Sequence, residues 1–155
     1  MGETYLKDLN KLPKTMASLL EGETDLVACL ANASALIFDV VDGLNWAGFY
    51  LVKDEELVLG PFQGKPACVR LKIGKGVCGT AVERNETVVV KDVHEFAGHI
   101  ACDSASQSEI VVPLHDKAGK ILGVLDIDSP LLNRFEEVKE VIVETAREIE
   151  RALNA

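Results

Sequence analysis

The feature that most constrains the fold is a change of hydrophobic period, helical at both ends of the chain and two-residue through its middle. Residues 4–20 repeat apolar side chains around Leu6, Leu9, Met16, Leu19 and Leu20, with Pro13 forcing a break or a fresh start. Gly22 ends that segment. Thr24 is the expected N-cap of a second helix, whose stripe carries Leu26, Val27, Leu30, Ala31, Ser34 and Ile37. At the other end, 133–154 reads as one helix burying Phe135, Val138, Val141, Ile142, Thr145, Ile149 and Leu153. Between them, 44–52 and 56–59 read as strands around the turn Lys53-Asp54-Glu55, and 67–73 alternates again. A short helix is expected over 78–84 and a short strand over 87–90. Strands at 109–115 and 120–128 follow, joined by a hairpin at Asp116-Lys117-Ala118-Gly119. Strands segregated between terminal helices imply an α+β domain with its helices gathered on one sheet face.

Composition narrows the function. The 155 residues fit one domain spanning 1–155. Sixteen Lys and Arg against 25 Asp and Glu give a net charge of −9, a surface that repels nucleic acid overall. The most apolar stretch, 26–41, is interrupted by Asn32, Ser34 and Asp39, so no membrane span is expected. The acidic N-terminus has no secretory signature, and the expectation is a cytoplasmic protein. Its four cysteines are then reduced at rest, and chemistry, metal binding or burial explains them better than structural cross-linking.

Cys29 lies on the apolar stripe of the second helix and reads as a small core residue. Cys102 sits in a long polar segment, 92–108, of the kind that is more often functional than idle. His99, three residues away, either lowers its pKa or serves as a loop hydrogen-bond donor. Cys68 and Cys78 are candidate partners for a thiol that becomes oxidised. A zinc site built from Cys68, Cys78, Cys102 and His99 is the competing reading, but it lacks the close-paired spacing of structural zinc. Glu109, Asp126 and Asp128 form a second cluster. A hairpin centred on its turn pairs Glu109 near Asp126, with both aspartates on one face and Leu125 and Ile127 on the other. Such acids bind a cationic group or act as proton donors, or else are surface residues. The aromatic run Trp46, Phe49 and Tyr50 is either core or a pocket wall.

Several ordered blocks then align with one family. They include Asn45-Trp46-Ala47-Gly48-Phe49-Tyr50, Gly74-Lys75-Gly76-Val77-Cys78-Gly79, Gly98-His99-Ile100-Ala101-Cys102-Asp103 and Gly123-Val124-Leu125-Asp126-Ile127-Asp128-Ser129. From about residue 45 to residue 135 the chain resembles the free methionine-(R)-sulfoxide reductases, single-GAF-domain enzymes. Ala97 departs from the pattern, standing where the family has Pro before Gly-His. The resemblance implies a six-stranded antiparallel sheet with N-terminal helices and a C-terminal helix on one face, and a homodimer. It implies Cys102 as the nucleophile that becomes a sulfenic acid, Cys68 as the thiol that resolves it, and Cys78 as a third cysteine of less defined role. Glu109, Asp126 and Asp128 would line the substrate pocket and Trp46 and Tyr50 its aromatic wall. Glu109 or Asp128 would donate a proton to the sulfoxide oxygen, and Asp126 would hold the substrate ammonium. No metal or bound cofactor is implied, and thioredoxin or a related dithiol is the external reductant. A ligand-sensing or redox-sensing GAF module is the alternative.

Overall fold

A computed structural model describes residues 8–99 and 103–155. The helices are α1 (Leu12–Leu20), α2 (Leu26–Val40), α3 (Gly76–Arg84) and α4 (Lys139–Leu153), with short 3-10 turns at Leu9–Lys11 and Val93–Glu95. The strands are β1 (Trp46–Lys53), β2 (Glu56–Gly64), β3 (Arg70–Lys72), β4 (Val88–Val90), β5 (Ser108–His115) and β6 (Ile121–Ser129). They form one six-stranded sheet in the order β3-β2-β1-β6-β5-β4, with every pair antiparallel. None of the described helices is long and apolar enough to cross a membrane.

Strand parity divides the interior into two cores. Ala47 and Phe49 of β1, Ile110 and Val112 of β5, and Leu125 and Ile127 of β6 face α1, α2 and α4, packing with Met16, Leu30, Ile37, Ile142 and Ile149. The terminal helices therefore cover one face, as the resemblance implies. The alternate side chains, Trp46, Tyr50, Val111 and Val124, enter a second core beneath α3, which lies on the opposite face. Cys29 is buried in the first core, its thiol 3.5 Å from the Glu23 carbonyl, matching its reading as a core residue.

Three local expectations change. The cap of α2 is Asp25 rather than Thr24, because the Asp25 carboxylate reaches the Ala28 N–H at 2.9 Å. The inward stripe of α2 is Cys29, Leu30, Ala33, Ser34, Leu36, Ile37 and Val40, while Leu26, Val27 and Ala31 are exposed. In so apolar a helix, adjacent stripes satisfy the same spacing, and packing on β1 and β2 selects between them. The last helix begins at Lys139 instead of residue 133. Ahead of it, Ser129 Oγ accepts the Leu131 N–H, while Ser108 Oγ donates to the Leu131 carbonyl and accepts the Arg134 N–H. Those side chains satisfy the backbone that a helix would otherwise have to satisfy.

One glycine is dictated by close approach. A Cβ on Gly48 would stand 2.2 Å from Phe62 Cβ and 2.9 Å from the Pro61 carbonyl, where β1 and β2 shift register. Gly48→Ala is expected to destabilise the fold by about 1–3 kcal/mol in chemical denaturation. Cys29→Ala should cost no more than that, by loss of packing alone. An unchanged Gly48→Ala midpoint would mean that β2 yields freely at this contact.

Candidate active site

The site grows from three strand ends. On β1, Trp46 lies opposite Asp128 and Gly48 opposite Asp126. On β5, Glu109 pairs with Asp128, and Val111 with Asp126. Glu109 thus stands two residues from its expected partner Asp126. The hairpin loop is longer than its four turn residues, because Asp116 N–H bonds to the Lys120 carbonyl and the Asp116 carboxylate accepts from Ala118 and Lys120. A bulge between Leu114 and His115 adds the rest of the shift. A displacement by two keeps parity, so all three acids still share one face.

That face floors a cleft that is partly open to solvent. Trp46 and Tyr50 line it, stacked at 5.9 Å, and Phe62 stacks on Trp46 from β2 at 5.1 Å. Phe49 points into the other core, so the aromatic run divides between wall and core. The polar tips are tied down: Trp46 Nε1 donates to the Lys65 carbonyl at 3.2 Å, and Tyr50 OH to the Cys68 carbonyl at 2.8 Å. α3 presents its N-terminal turn, Gly76, Val77 and Cys78, to the cleft beside Lys75. His99, Asp103 and Ser106 complete the lining.

Glu109, Asp126 and Asp128 are 7%, 5% and 9% exposed, and no ion pair among the described residues reaches them. Burial, with Asp126 and Asp128 alongside, holds the Glu109 carboxyl well above the usual carboxylate range. Burial and then Asp126 do the same to Asp128. Asp126 is raised by burial but eased by hydrogen bonds to Glu109 and Cys78. The three acids cannot all ionise together, and Glu109 carries the proton that its neighbours accept. Asp126 Oδ1 is buried without any hydrogen-bond partner.

The thiols differ in setting. Cys78 is a free, buried thiol pushed well up by burial and by the adjacent acids, so it stays protonated. Its sulfur and one oxygen each from Glu109 and Asp126 lie within 4.8 Å of one another. Cys68 is half-buried and disulfide-bonded, which removes it from the zinc set considered from the sequence. Cys102 lies outside the described residues. Burial and His94 push the His99 imidazole toward its neutral form, which favours its reading as a hydrogen-bond group over a source of positive charge. The turn at Phe96 closes with a His99 N–H bond of 3.2 Å to the Phe96 carbonyl, Ala97 occupying an exposed position within it.

Sequence reasoning missed two contributors. Phe62 supports the wall without lining it, stacking on Trp46 from a position opposite Gly48 in the register. Asn45 donates from Nδ2 to Asp103 Oδ2 at 2.9 Å and to Ser106 Oγ at 3.0 Å, fastening the far end of the 92–108 segment to β1. Its place beside Trp46 in a matched block was the available signal.

Raised carboxyls make stability fall with pH. Above the ordinary carboxylate range the unfolded chain has released protons that the folded cluster still holds, so stability declines as pH climbs through that window. Below it both states are protonated and the cost vanishes. Glu109→Gln keeps a hydrogen-bond donor and removes one acid. It should unfold about 1–3 kcal/mol less readily than wild type at neutral pH, the difference closing near pH 4. Equal stability of the two proteins at every pH would contradict the buried cluster.

A family model described as GAF domain matches residues 16–153. Free methionine-R-sulfoxide reductase of Escherichia coli is 55% identical over 136 residues, covering 88% of this chain and 80% of that protein. Protein YtsP of Bacillus subtilis is 53% identical over 150 residues, covering 95% of this chain and 91% of that protein. A solved structure of fRMsr of Staphylococcus aureus in complex with substrate matches with a TM-score of 0.89 and 53% identity, covering 95% of this chain and 96% of that one. With a matched model across nearly its whole length and relatives this similar, the chain belongs to the GAF domain family.

Proposed function

We propose that this chain reduces free methionine-(R)-sulfoxide to methionine. The observation that carries the reading is the unpartnered, buried Asp126 oxygen in a cleft walled by Trp46 and floored by a proton-holding Glu109. Such a cleft suits a small zwitterion bearing a thioether-like sulfur. It is supported by the likeness to reductases of this name and to a substrate complex.

The chemistry proceeds in two halves. The Cys102 thiolate attacks the sulfoxide sulfur while Glu109, backed by Asp128, gives its proton to the oxygen. Methionine leaves, and Cys102 keeps the oxygen as sulfenic acid. The Cys68 thiol then condenses with it, releasing water and forming a disulfide. That pairing is supported by the bonded state of Cys68 alongside free Cys29 and Cys78. Thioredoxin or a related dithiol reduces the disulfide by exchange, and no bound cofactor takes part. Asp126 takes the substrate ammonium, which a methionine within a peptide lacks. The first turn of α3 has no side-chain cap, so its buried N–H groups and Lys75 receive the carboxylate. Dithiol recycling fits the reducing cytoplasm. A homodimer completes the reading, with Val27 and Phe38 supplying apolar surface on the outer side of α2.

Free methionine-(R)-sulfoxide, thioredoxin, its reductase and NADPH provide the test. Wild-type protein should consume NADPH, whereas binding of the sulfoxide without turnover would make the chain a sensing module. Cys102→Ser should abolish consumption. Cys68→Ser should yield one methionine per site in a single turnover and then recycle slowly. A disulfide between Cys78 and Cys102 in the wild type after one turnover would exchange the roles of Cys68 and Cys78.

Substrate analogues separate the acids. Asp126→Asn should chiefly raise KM and narrow the preference for the free amino acid over its N-acetyl derivative. Glu109→Gln should chiefly lower kcat, by about 10²–10⁴-fold. Equal reduction of free and N-acetyl substrates by wild type would end the ammonium assignment.

A further inference from the structure

The proposed chemistry leaves Cys78 without a task, although it lines the cleft. Its sulfur, a Glu109 oxygen and an Asp126 oxygen make a triangle no more than 4.8 Å on a side. The three ligands come from α3, β5 and β6, so packed backbone fixes the triangle rather than long mobile side chains. Asp126, 5% exposed, belongs to this cluster and carries one oxygen, Oδ1, that is buried without a hydrogen-bond partner. Buried carboxyl groups of this kind are ordinarily paired or hold a metal ion.

Zinc binds thiolate sulfur at about 2.3 Å and carboxylate oxygen at about 2.0–2.2 Å, so two ligand atoms on one ion stand roughly 3.3–3.8 Å apart. With no side longer than 4.8 Å, the triangle reaches that size by contracting at most about 1–1.5 Å. A sulfur ligand selects a borderline-soft ion over magnesium or calcium. Three protein ligands leave the fourth tetrahedral position open to the cleft.

We propose that Cys78, Glu109 and Asp126 bind one Zn²⁺ in the reduced, substrate-free protein, and that this ion and the substrate exclude each other. The ion replaces the protons held by the thiol and the carboxyls, which pass to solvent, and no redox change occurs. It occupies the place of the substrate ammonium. The mutual exclusion rests on the function proposed above, whereas the binding itself does not.

The test titrates Zn²⁺ against a chromophoric chelator in reduced wild-type protein and in a Cys68→Ser/Cys102→Ser variant, which cannot turn over substrate. Both should bind about one equivalent, and Co²⁺ in its place should show a thiolate-to-metal absorption band. Cys78→Ala and Glu109→Gln, each checked for a cooperative melt, should weaken binding at least about tenfold. Saturating free methionine sulfoxide should weaken it similarly in the double-serine variant. Binding lost with Cys68 and Cys102, or kept in Cys78→Ala, overturns the site. Zinc binding indifferent to a sulfoxide that demonstrably binds the protein overturns the exclusion. A protein that neither binds nor reduces the sulfoxide refutes the functional reading instead, and the zinc titration still judges the site.

Discussion

Three carboxyl groups lie side by side out of water with no ion pair to them among the described residues, and the rest of the molecule is arranged to make that tolerable. Isolated in an apolar interior, such groups would simply keep their protons. Here Glu109 keeps one and shares it with Asp126 and Asp128, so the cluster stores a proton beside an oxygen that lacks a partner. A folded protein accepts this arrangement only where another part of the structure supplies the stability. That part is the opposite face of the same strands, where Phe49, Ile110, Val112, Leu125 and Ile127 are fully buried against the terminal helices.

Strand parity is what lets one segment do both. β6 alternates Leu125 and Ile127 into the large core with Asp126 and Asp128 into the cleft, and β5 does the same with Ile110 against Glu109. A slip of one residue would send the acids into the helix-facing core and the apolar side chains into the pocket, so the register is strongly specified. The bulge at Leu114/His115 and the longer hairpin loop displace the pairing by two rather than one, so the acids change partners without changing faces.

That distinction explains how much was legible in the sequence. Period-two alternation exposed the strands and the shared face of the acids, because parity survives small errors in the turn. The partner of Glu109 was not legible, since it depends on how many residues the Asp116 carboxylate gathers into the loop. The inward stripe of α2 was hidden because apolar residues surround most of that helix, leaving tertiary packing to choose. Phe62 and Asn45 act through partners 16 and 58 residues or more away in sequence, Trp46 and Asp103, and no local pattern reports such contacts. Cys29, Cys68 and Cys78 were found by position alone, but their different environments required the fold.

Those environments assign labour among the cysteines. A thiolate at Cys78 would add negative charge to a buried cluster that already resists ionising, and the acids accordingly hold it protonated. The property that fits the acid cluster for donating a proton and attracting a cation therefore disqualifies the thiol inside it from serving as the nucleophile. Under the function proposed above, the attacking thiolate is a different cysteine from Cys78. Among the described residues, the 92–108 segment is anchored at both ends: the Val93 N–H bonds to the Gln107 carbonyl, and Asn45 ties Asp103 to β1. Keeping the proton of Glu109 and the thiol of Cys78 together in one buried cluster holds both in their neutral forms, because either charge would raise the cost of the other.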